Sequence, residues 1–239
     1  MQPSICPLSL LYNDGPVLAV NKPGGLLTQA PPGIDSLEYR VKMYMRETEG
    51  RGENGYLGIP HRLDRPVSGV IVFGKNSRAT HRLSEQFERR EIDKTYWAVV
   101  QGTVEQDTGT WIDFVRKVPD EPRAEITAPI NPDAREAVLH YLVLLRFVQQ
   151  DRPFTRLEIK LETGRMHQIR LQCSTHGHPV AGDAKYGSDF PFGNFFDDER
   201  RREIALHSRS IVFRHPLTKE PVRLTAPLPE LWNGFPVAK

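Results

Sequence analysis

The chain has 239 residues, 38% of them apolar, and a formal net charge of only +2 at neutral pH. This length suits one substantial domain or two small ones, and the net charge by itself does not indicate a nucleic-acid partner. No stretch approaches the roughly 20 apolar residues of a membrane-spanning helix, and residues 1–11 lack the basic segment of a signal peptide. Cys6 and Cys173 are the only cysteines, which suits a reducing compartment, so we expect a cytoplasmic protein.

The first half of the chain predicts two helices and a buried strand. A helix is expected over 36–46, because Asp35 and Glu38 have the spacing of a capping box and apolar residues recur on one face behind them. Consecutive apolar residues over 70–73 indicate a buried strand, and apolar residues at every fourth position indicate a second helix over 77–90.

The second half is richer in strands. In the clearest of them, over 155–161, apolar and charged residues alternate, which is typical of a sheet with one face in water. The other predicted strands lie over 95–100, 111–115, 123–127, 138–147, 211–213 and 222–225. Because strands dominate and strand–helix–strand alternation is rare, we expect an α+β fold with a mostly antiparallel mixed sheet and flanking helices. No boundary demands two independent domains, so residues 1–239 are expected to form one.

A third helix is predicted near the end of this strand-rich region. Thr163 resembles its N-cap, and the helix would run to His176, with Gly177 as the C-terminal stop. The expected core-facing residues are Met166, Ile169 and Cys173, and the expected polar face consists of Arg165, Gln168 and Gln172.

The segment His61-Arg62-Leu63-Asp64-Arg65 concentrates charge just before the buried strand. Arginine beside a carboxylate holds it ionised, as a nucleophile or base requires, so Asp64 is a candidate catalytic group. Taken alone, the segment is more typical of an Asp–Arg ion pair that caps a turn.

Two further segments carry groups suited to nucleic-acid chemistry. Residues 164–170 place cations and amides at a helix start, where free N–H groups favour anions, and Arg165 can pair there with a carboxylate or a phosphate. An ordinary polar cap explains that segment equally well. In Lys94-Thr95-Tyr96, at a strand start, Tyr96 offers a ring to stack on a base and a hydroxyl to move a proton.

Together the three segments resemble the RluA-type pseudouridine synthases in order and spacing. The family's His-Arg-Leu-Asp motif, followed by Ser-Gly, is matched at 61–64 and 68–69, its Lys-Thr-Tyr strand start at 94–96, and its Gly-Arg-x-His-Gln-Ile-Arg motif at 164–170. Flanking matches are Asn21-Lys22-Pro23-Gly24, His178-Pro179, Gly182-Asp183, Tyr186-Gly187 and Leu206-His207. The resemblance runs from about Leu10 to Pro227.

This resemblance implies that the protein isomerises uridine to pseudouridine in a folded tRNA or rRNA, in a central catalytic cleft. It implies Asp64 as the essential carboxylate, Arg165 as its ion-pair partner, and Tyr96 as the residue that stacks on the base and assists proton transfer. The residues expected to bind the substrate are His61, Arg62 and Arg170. Since a base within a helix must be flipped out, Arg62 is expected to fill the vacated stack or grip the neighbouring phosphate.

The chemistry of an isomerisation needs no redox change and no added group, so no cofactor is expected. No phosphate loop or dinucleotide fingerprint occurs in the sequence. Cys173, His176 and His178 offer metal donors but lack a convincing fourth ligand, so no metal is expected. RNA is the expected partner, and a monomer is the expected state.

Two alternative functions remain open. A noncatalytic RNA-binding protein is disfavoured because both Asp64 and Arg165 are present. A nucleic-acid glycosylase would also break a base–sugar bond but would release the free base. Departures from the family pattern at Pro66-Val67, Met166 and Gln172 leave the RNA substrate open. Some relatives carry an N-terminal S4-type RNA-binding domain, and with Asp64 so near the start we expect none here.

Overall fold

The structure is a computed structural model that describes residues 8–52, 55–194, 196, 198 and 201–236. The expectations for Cys6 and for most of segment 1–11 therefore fall outside the described residues. In chain order the elements are β1 Leu10–Asp14, β2 Val17–Lys22, α1 Leu37–Glu49, β3 Ser68–Gly74, α2 Ser77–Glu88, β4 Asp93–Gln101, β5 Thr108–Lys117, β6 Ala124–Ile126, β7 Arg135–Gln149, β8 Arg152–Leu161, α3 Gln168–Thr175, β9 Leu206–Arg214 and β10 Pro221–Thr225. Short 3-10 helices lie at Ala184–Tyr186 and Glu230–Gly234.

The predicted α+β class is confirmed, and the chain divides into two compact units. The first consists of Met1–Asp93 and Ser208–Leu228, and the second of Lys94–His207 and Pro229–Lys239. The expectation of a single domain over 1–239 stays a prediction. Within the described ranges, no helix is both long and apolar enough to cross a membrane.

The first unit is built on strands in the order β1-β2-β3-β9, with β10 paired to β9. The central residues of β2 and β3, over 17–20 and 70–73, are apolar because both faces of these strands are covered. Leu18 and Phe73 lie on the face that α1 buries, and Val17 and Val72 lie on the opposite face together with Leu83 of α2. This two-sided burial explains the continuous apolar run over 70–73, since a strand exposed on one face would alternate.

The two helices of the first unit begin at side-chain caps. The Ser36 hydroxyl, not Asp35, caps α1 by accepting from the Tyr39 N–H at 3.2 Å, so the predicted capping residue was wrong. Asp35 instead forms an ion pair with Arg40. α2 starts at Asn76, whose side chain accepts from the Ala79 N–H at 2.8 Å.

The second unit contains the strand order β4-β8-β7-β5-β6, with antiparallel pairing at each step. The predicted alternation along β8 fails at Arg156, which is only 1% exposed. Its guanidinium carbon lies 6.0 Å from the Trp97 ring centroid and 5.7 Å from that of Trp232. Because Trp232 comes from the C-terminal segment, the sequence of β8 alone did not reveal this cover.

The third helix is shorter than predicted. α3 spans Gln168–Thr175, and the residue at its N-cap position is His167, in the left-handed region at φ 53°, rather than Thr163. Met166 packs on the core cluster, and Ile169 and Cys173 are buried, as expected.

The predicted polar face of α3 is buried at Gln168 and Gln172, and its third member, Arg165, precedes the helix. Gln168 is 3% exposed and Gln172 is fully buried. Their amides hydrogen-bond to strands beneath the helix instead of to water, because backbone groups of β5 and β7 lie within reach.

Candidate active site

The loop that carries Asp64 is held at Leu63, on the N-terminal side of the carboxylate. The Thr28 hydroxyl donates to the Leu63 carbonyl at 2.8 Å and accepts from the Leu63 N–H at 3.3 Å, so one side chain satisfies both backbone groups. Leu63 itself is buried, at 6% exposure, whereas Asp64 is half-buried. The loop is therefore anchored through its buried apolar residue, next to the half-buried Asp64.

Lys22 holds the loop on the other side of Asp64. Its side chain is fully buried, and its ammonium donates to the carbonyls of Pro23 at 2.9 Å, Leu26 at 2.7 Å and Arg65 at 3.1 Å. A tight turn follows, in which the Val67 N–H donates to the Asp64 carbonyl at 3.1 Å. An ammonium has three donors, and these carbonyls offset part of the free energy of burying its charge.

His61 and Arg62 have different surroundings, although they are adjacent. The His61 Nε2 accepts from the Val72 N–H at 2.9 Å, and the ring stacks on Phe87 with centroids 4.5 Å apart. Arg62 is exposed. His61 therefore joins the loop to β3, and Arg62 is available to a partner at the surface.

The Ser-Gly of the first motif has a steric basis. Gly69 has φ +119°, and a Cβ built on it would lie 2.3 Å from the carbonyl oxygen of Ser208 in β9. Only glycine allows so close an approach of the two backbones, so this position is required by packing at the start of β3.

The third motif begins with a buried polar network that joins α3 to the sheet of the second unit. The Thr163 hydroxyl accepts from the Val138 N–H at 2.9 Å and donates to the Gln168 side-chain oxygen at 2.9 Å. The Gln168 amide donates to the Val138 carbonyl at 3.1 Å, and the Gln172 amide donates to Asp113 at 2.8 Å. The amides of this motif thus position the helix rather than face solvent.

Arg170 lies in the buried part of the same motif. Its Nε and Nη2 donate to the two carboxylate oxygens of Asp183 at 2.6 and 2.8 Å, and its guanidinium lies 5.0 Å from the Tyr186 ring centroid. Arg170 and Asp183 are 5% and 1% exposed. A two-pronged pair of this kind fixes the direction of the guanidinium.

Arg165 is more exposed to solvent than Tyr96. Arg165 is half-buried, and its Nε donates to the Glu136 carbonyl at 2.8 Å. Tyr96 is 8% exposed and pairs with Ile159 across β4 and β8. Near it, burial holds the pKa of Lys94 below its usual value.

The candidate metal donors Cys173, His176 and His178 have separate partners. Cys173 is buried, which raises the pKa of its thiol. His176 stacks on Trp111 and contacts Asp113, while His178 contacts the Gln101 carbonyl. Among the described residues, no group of three or more His, Cys, Asp or Glu side chains is arranged to hold a metal ion.

Sequence reasoning missed the residues that hold the Asp64 loop. Lys22 was noted only as a flanking match, and Thr28 was not singled out. A lysine between an apolar strand and a Pro-Gly turn was the available signal, since an ammonium at the end of a buried strand needs acceptors.

The family follows from comparison with known proteins. The model of the RNA pseudouridylate synthase family matches residues 16–175, and the chain belongs to this family. It is 38% identical over 225 residues to an uncharacterized RNA pseudouridine synthase, YlyB, of Bacillus subtilis, covering 93% of this chain and 70% of that protein. The protein is thus an RNA pseudouridine synthase, an isomerase that converts uridine to pseudouridine.

Other relatives have names that specify an RNA. The chain is 34% identical over 235 residues to ribosomal large subunit pseudouridine synthase D of Xanthomonas campestris, covering 95% of this chain and 68% of that protein. It is 33% identical over 235 residues to tRNA pseudouridine synthase C of Haemophilus influenzae, covering 95% of each. Human RNA pseudouridylate synthase domain containing 4 shares the fold, with a TM-score of 0.75 at 21% identity over 95% of this chain and 90% of that one.

Proposed function

We propose that this pseudouridine synthase modifies tRNA or ribosomal RNA and that Asp64 is the carboxylate at its reaction centre. The observation that carries the proposal is the anchoring of the Asp64 loop, where Thr28 binds Leu63 on one side and Lys22 binds Arg65 on the other. Anchoring on both sides limits the positions of the carboxylate, and such preorganisation is what catalysis by a single group requires.

The reaction is an isomerisation within one nucleotide. The bond between N1 of uracil and C1′ of ribose breaks, the base turns, and a bond forms between C5 and C1′. The proton on C5 is lost and N1 gains one, so atoms and electrons balance without an oxidant or a co-reactant. Asp64 serves this reaction by attacking C1′, by adding to the base, or by taking a ribose proton, and each role needs it ionised.

The arginine that keeps Asp64 ionised comes, in our proposal, from the third motif. The family resemblance of the sequence favours Arg165 as this partner of Asp64. The side-chain geometry within the second unit makes Arg170 a second candidate, because Asp183 fixes the direction of its guanidinium through two hydrogen bonds. The Arg165 side chain is held by one hydrogen bond to a described residue, from Nε to the Glu136 carbonyl.

Tyr96, Arg62 and His61 complete the proposed site. Tyr96 stacks on the flipped base and assists proton transfer at C5, and Arg62, being exposed, enters the stack that the base leaves. His61 contributes to substrate binding by supporting the loop that carries Arg62 and Asp64, since its Nε2 already accepts a hydrogen bond from the Val72 N–H. A monomeric state and a cytoplasmic location remain predictions from the sequence.

The test is turnover by Asp64→Asn, measured as tritium release from RNA containing 5-tritiated uridine, with circular dichroism to verify folding. Asp35→Asn is the matched control, because Asp35 lies at the start of α1 and pairs only at the surface. We expect no turnover by Asp64→Asn and normal turnover by the control. Turnover by folded Asp64→Asn would refute the role of Asp64, and release of free uracil by the wild-type protein would indicate a glycosylase.

The choice between tRNA and ribosomal RNA is tested by mapping pseudouridines in RNA from cells with and without the gene. A pseudouridine that disappears from either RNA identifies the substrate. Complete agreement between the two maps would contradict the proposal. Activity is expected to persist in EDTA once the RNA has been folded.

A further inference from the structure

A basic groove lies in the first unit, away from the Asp64 loop. It is an open depression of about 340 Å³. Three arginines line it, Arg51 after α1 and Arg78 and Arg82 on α2, together with Asn76 and with Pro216 from the turn between β9 and β10. No acidic side chain is among the lining residues that the structure describes.

Two of the arginines are held in place from behind. Nη1 of Arg82 donates to the Pro216 carbonyl at 2.5 Å, and Nη1 of Arg51 donates to the Lys75 carbonyl at 2.7 Å. A guanidinium has five N–H donors, so each retains donors for a ligand after these bonds form. Anchoring on a carbonyl also reduces the conformational entropy that binding would remove.

Arg78 is the exposed member of the three. The structure records no hydrogen bond or ion pair from its side chain to any described residue. It can therefore be substituted without breaking an observed contact, and it is the best probe of the groove.

The described residues that line the groove carry a net positive charge. Glu49, close to Arg51 in the chain, is a carboxylate outside this lining; it pairs with Lys75 at 2.8 Å and with Arg51 at 2.9 Å. Lys75 offsets its charge, so the arginines remain in excess. α2 adds to this potential, because it begins at the groove with no acidic residue in its first turn.

The groove and the Asp64 loop lie at opposite ends of one strand. Asp64 precedes the start of β3 at Ser68, and the groove lies beyond its end at Gly74. Seven residues of strand span about 20 Å, a distance that covers several nucleotides of a folded RNA. One folded RNA can reach both places.

We propose that this basic groove binds a phosphate of the RNA backbone, as a second contact about 20 Å from the reacting nucleotide. The inference rests on the proposed action on RNA. Its role is affinity and register, because phosphate contacts position an RNA without reading its sequence. Chemistry on bound RNA does not depend on it.

The first test compares Arg78→Ala with Arg223→Ala, a matched change at an exposed arginine of β10 in the same unit. Binding of unfractionated tRNA is followed by fluorescence anisotropy between low and moderate salt. Arg78→Ala should raise Kd about threefold to tenfold at low salt and reduce the slope of log Kd against log salt by about 0.7–0.9. Arg223→Ala should change neither. Equal effects of the two variants would overturn the inference.

A second variant separates binding from stability. Ser77→Glu places a carboxylate in the first turn of α2, where it should raise the melting temperature by interacting with the helix dipole. The same charge should weaken tRNA binding by repelling phosphate. Wild-type binding by this variant would contradict a phosphate site in the groove.

A third measurement distinguishes RNA from small phosphate ligands. Calorimetric titration with inorganic tripolyphosphate should show a Kd no tighter than about 100 μM. Tighter binding that Arg78→Ala abolishes would assign the groove to a free polyphosphate and overturn the RNA inference. Single-turnover rates of Arg78→Ala at saturating RNA should equal those of the wild type.

These outcomes are separable from a failure of the proposed function. A protein that binds tRNA through Arg78 but never forms pseudouridine in tRNA or in ribosomal RNA would sink the proposed function and leave the groove intact. Normal turnover with unchanged tRNA binding in Arg78→Ala and Ser77→Glu would sink the groove alone.

Discussion

The buried ammonium of Lys22 donates a hydrogen bond to the main-chain carbonyl of Arg65, with an Nζ–O distance of 3.1 Å. Arg65 directly follows Asp64, so a charged group in the core of the first unit is joined to the loop that carries the proposed reaction centre. A positioning residue of this kind affects rate through the carboxylate it orients.

Replacement of Lys22 by Met should lower kcat and leave KM for RNA nearly unchanged. The substitution keeps the volume but leaves three carbonyls, of which that of Leu26 is fully buried, without their donor, which should also destabilise the fold by about 1–3 kcal/mol. Denaturation curves and steady-state turnover measure the two effects. The control is Lys42→Met, whose ammonium pairs with Glu38 at the surface of α1. A Lys22→Met enzyme with wild-type kcat would rule out the positioning role.

The hydroxyl of Thr28 is a second determinant of the loop. Thr28→Val keeps the shape and removes both hydrogen bonds to Leu63, so turnover should fall with a loss of about 1–3 kcal/mol in stability. Thr28→Ser keeps the hydroxyl and should retain most of the activity. Equal activities of the two variants would show that the hydroxyl does not hold the loop.

Arg62 should act after binding. If Arg62 enters the stack that the flipped base leaves, Arg62→Ala should slow the single-turnover rate even at saturating RNA. A change in the basic groove, such as Arg82→Ala, should instead weaken binding and reduce its salt dependence while chemistry on bound RNA continues. Identical saturated rates for Arg62→Ala and wild type would remove Arg62 from flipping.

The two arginines of the third motif can be separated by conservative substitution. Lysine keeps the charge but cannot make the two-pronged pair that orients Arg170 on Asp183. If Arg165 is the partner of Asp64, Arg165→Ala should abolish turnover in a folded protein and Arg170→Lys should mainly lower stability. If Arg170 is the partner, Arg170→Lys should lose turnover at temperatures where it is fully folded, and Arg165→Ala should retain it.

Glu49 predicts a pH dependence of stability. Burial raises the pKa of its carboxyl, but hydrogen bonds from Lys75 and Asn13 outweigh this and hold the pKa below its usual value of 4.5. The stabilisation is therefore present above pH 4.5 and is lost as pH falls through the lowered pKa. Glu49→Gln should lose about 1–2 kcal/mol at pH 7 and converge on the wild type in acid.

The matched control for Glu49 is Glu38→Gln, in the same helix. Glu38 pairs with Lys42 at the surface, where such pairs contribute about 0.5 kcal/mol or less. Chemical denaturation from pH 7 to pH 3 measures both variants. A Glu49→Gln difference that is constant with pH would show that the carboxylate is not the stabilising group.

Local sequence patterns predicted an element correctly where the burial of its residues follows one regular pattern along the chain. Residues 70–73 form part of β3 because α1 and α2 cover it on both sides, and the apolar period of 77–90 matches α2 because one face packs on the sheet. The α+β class and the family follow from the same local information, since motifs and strand patterns are contiguous in the chain.

The errors share a different origin. Thr163 looks like an N-cap, but its hydroxyl bonds to Val138, which lies 25 positions earlier in the chain and is adjacent only after folding. The burial of Gln168 and Gln172 was missed for the same reason. The amphipathic pattern of β8 did not predict the burial of Arg156 either, since the ring of Trp232 that covers it lies far along the chain.

The sequence by itself determined the chemistry of this protein: a carboxylate set among cations, a tyrosine at a strand start and a basic helix motif, in an order that identifies an RNA pseudouridine synthase. The tertiary structure alone decided which polar groups are structural. Lys22, Thr28, Gln168 and Gln172 are buried because main-chain groups distant in sequence supply their hydrogen bonds. A polar residue pattern specifies the donors and acceptors, but only the folded chain specifies whether protein or water satisfies them.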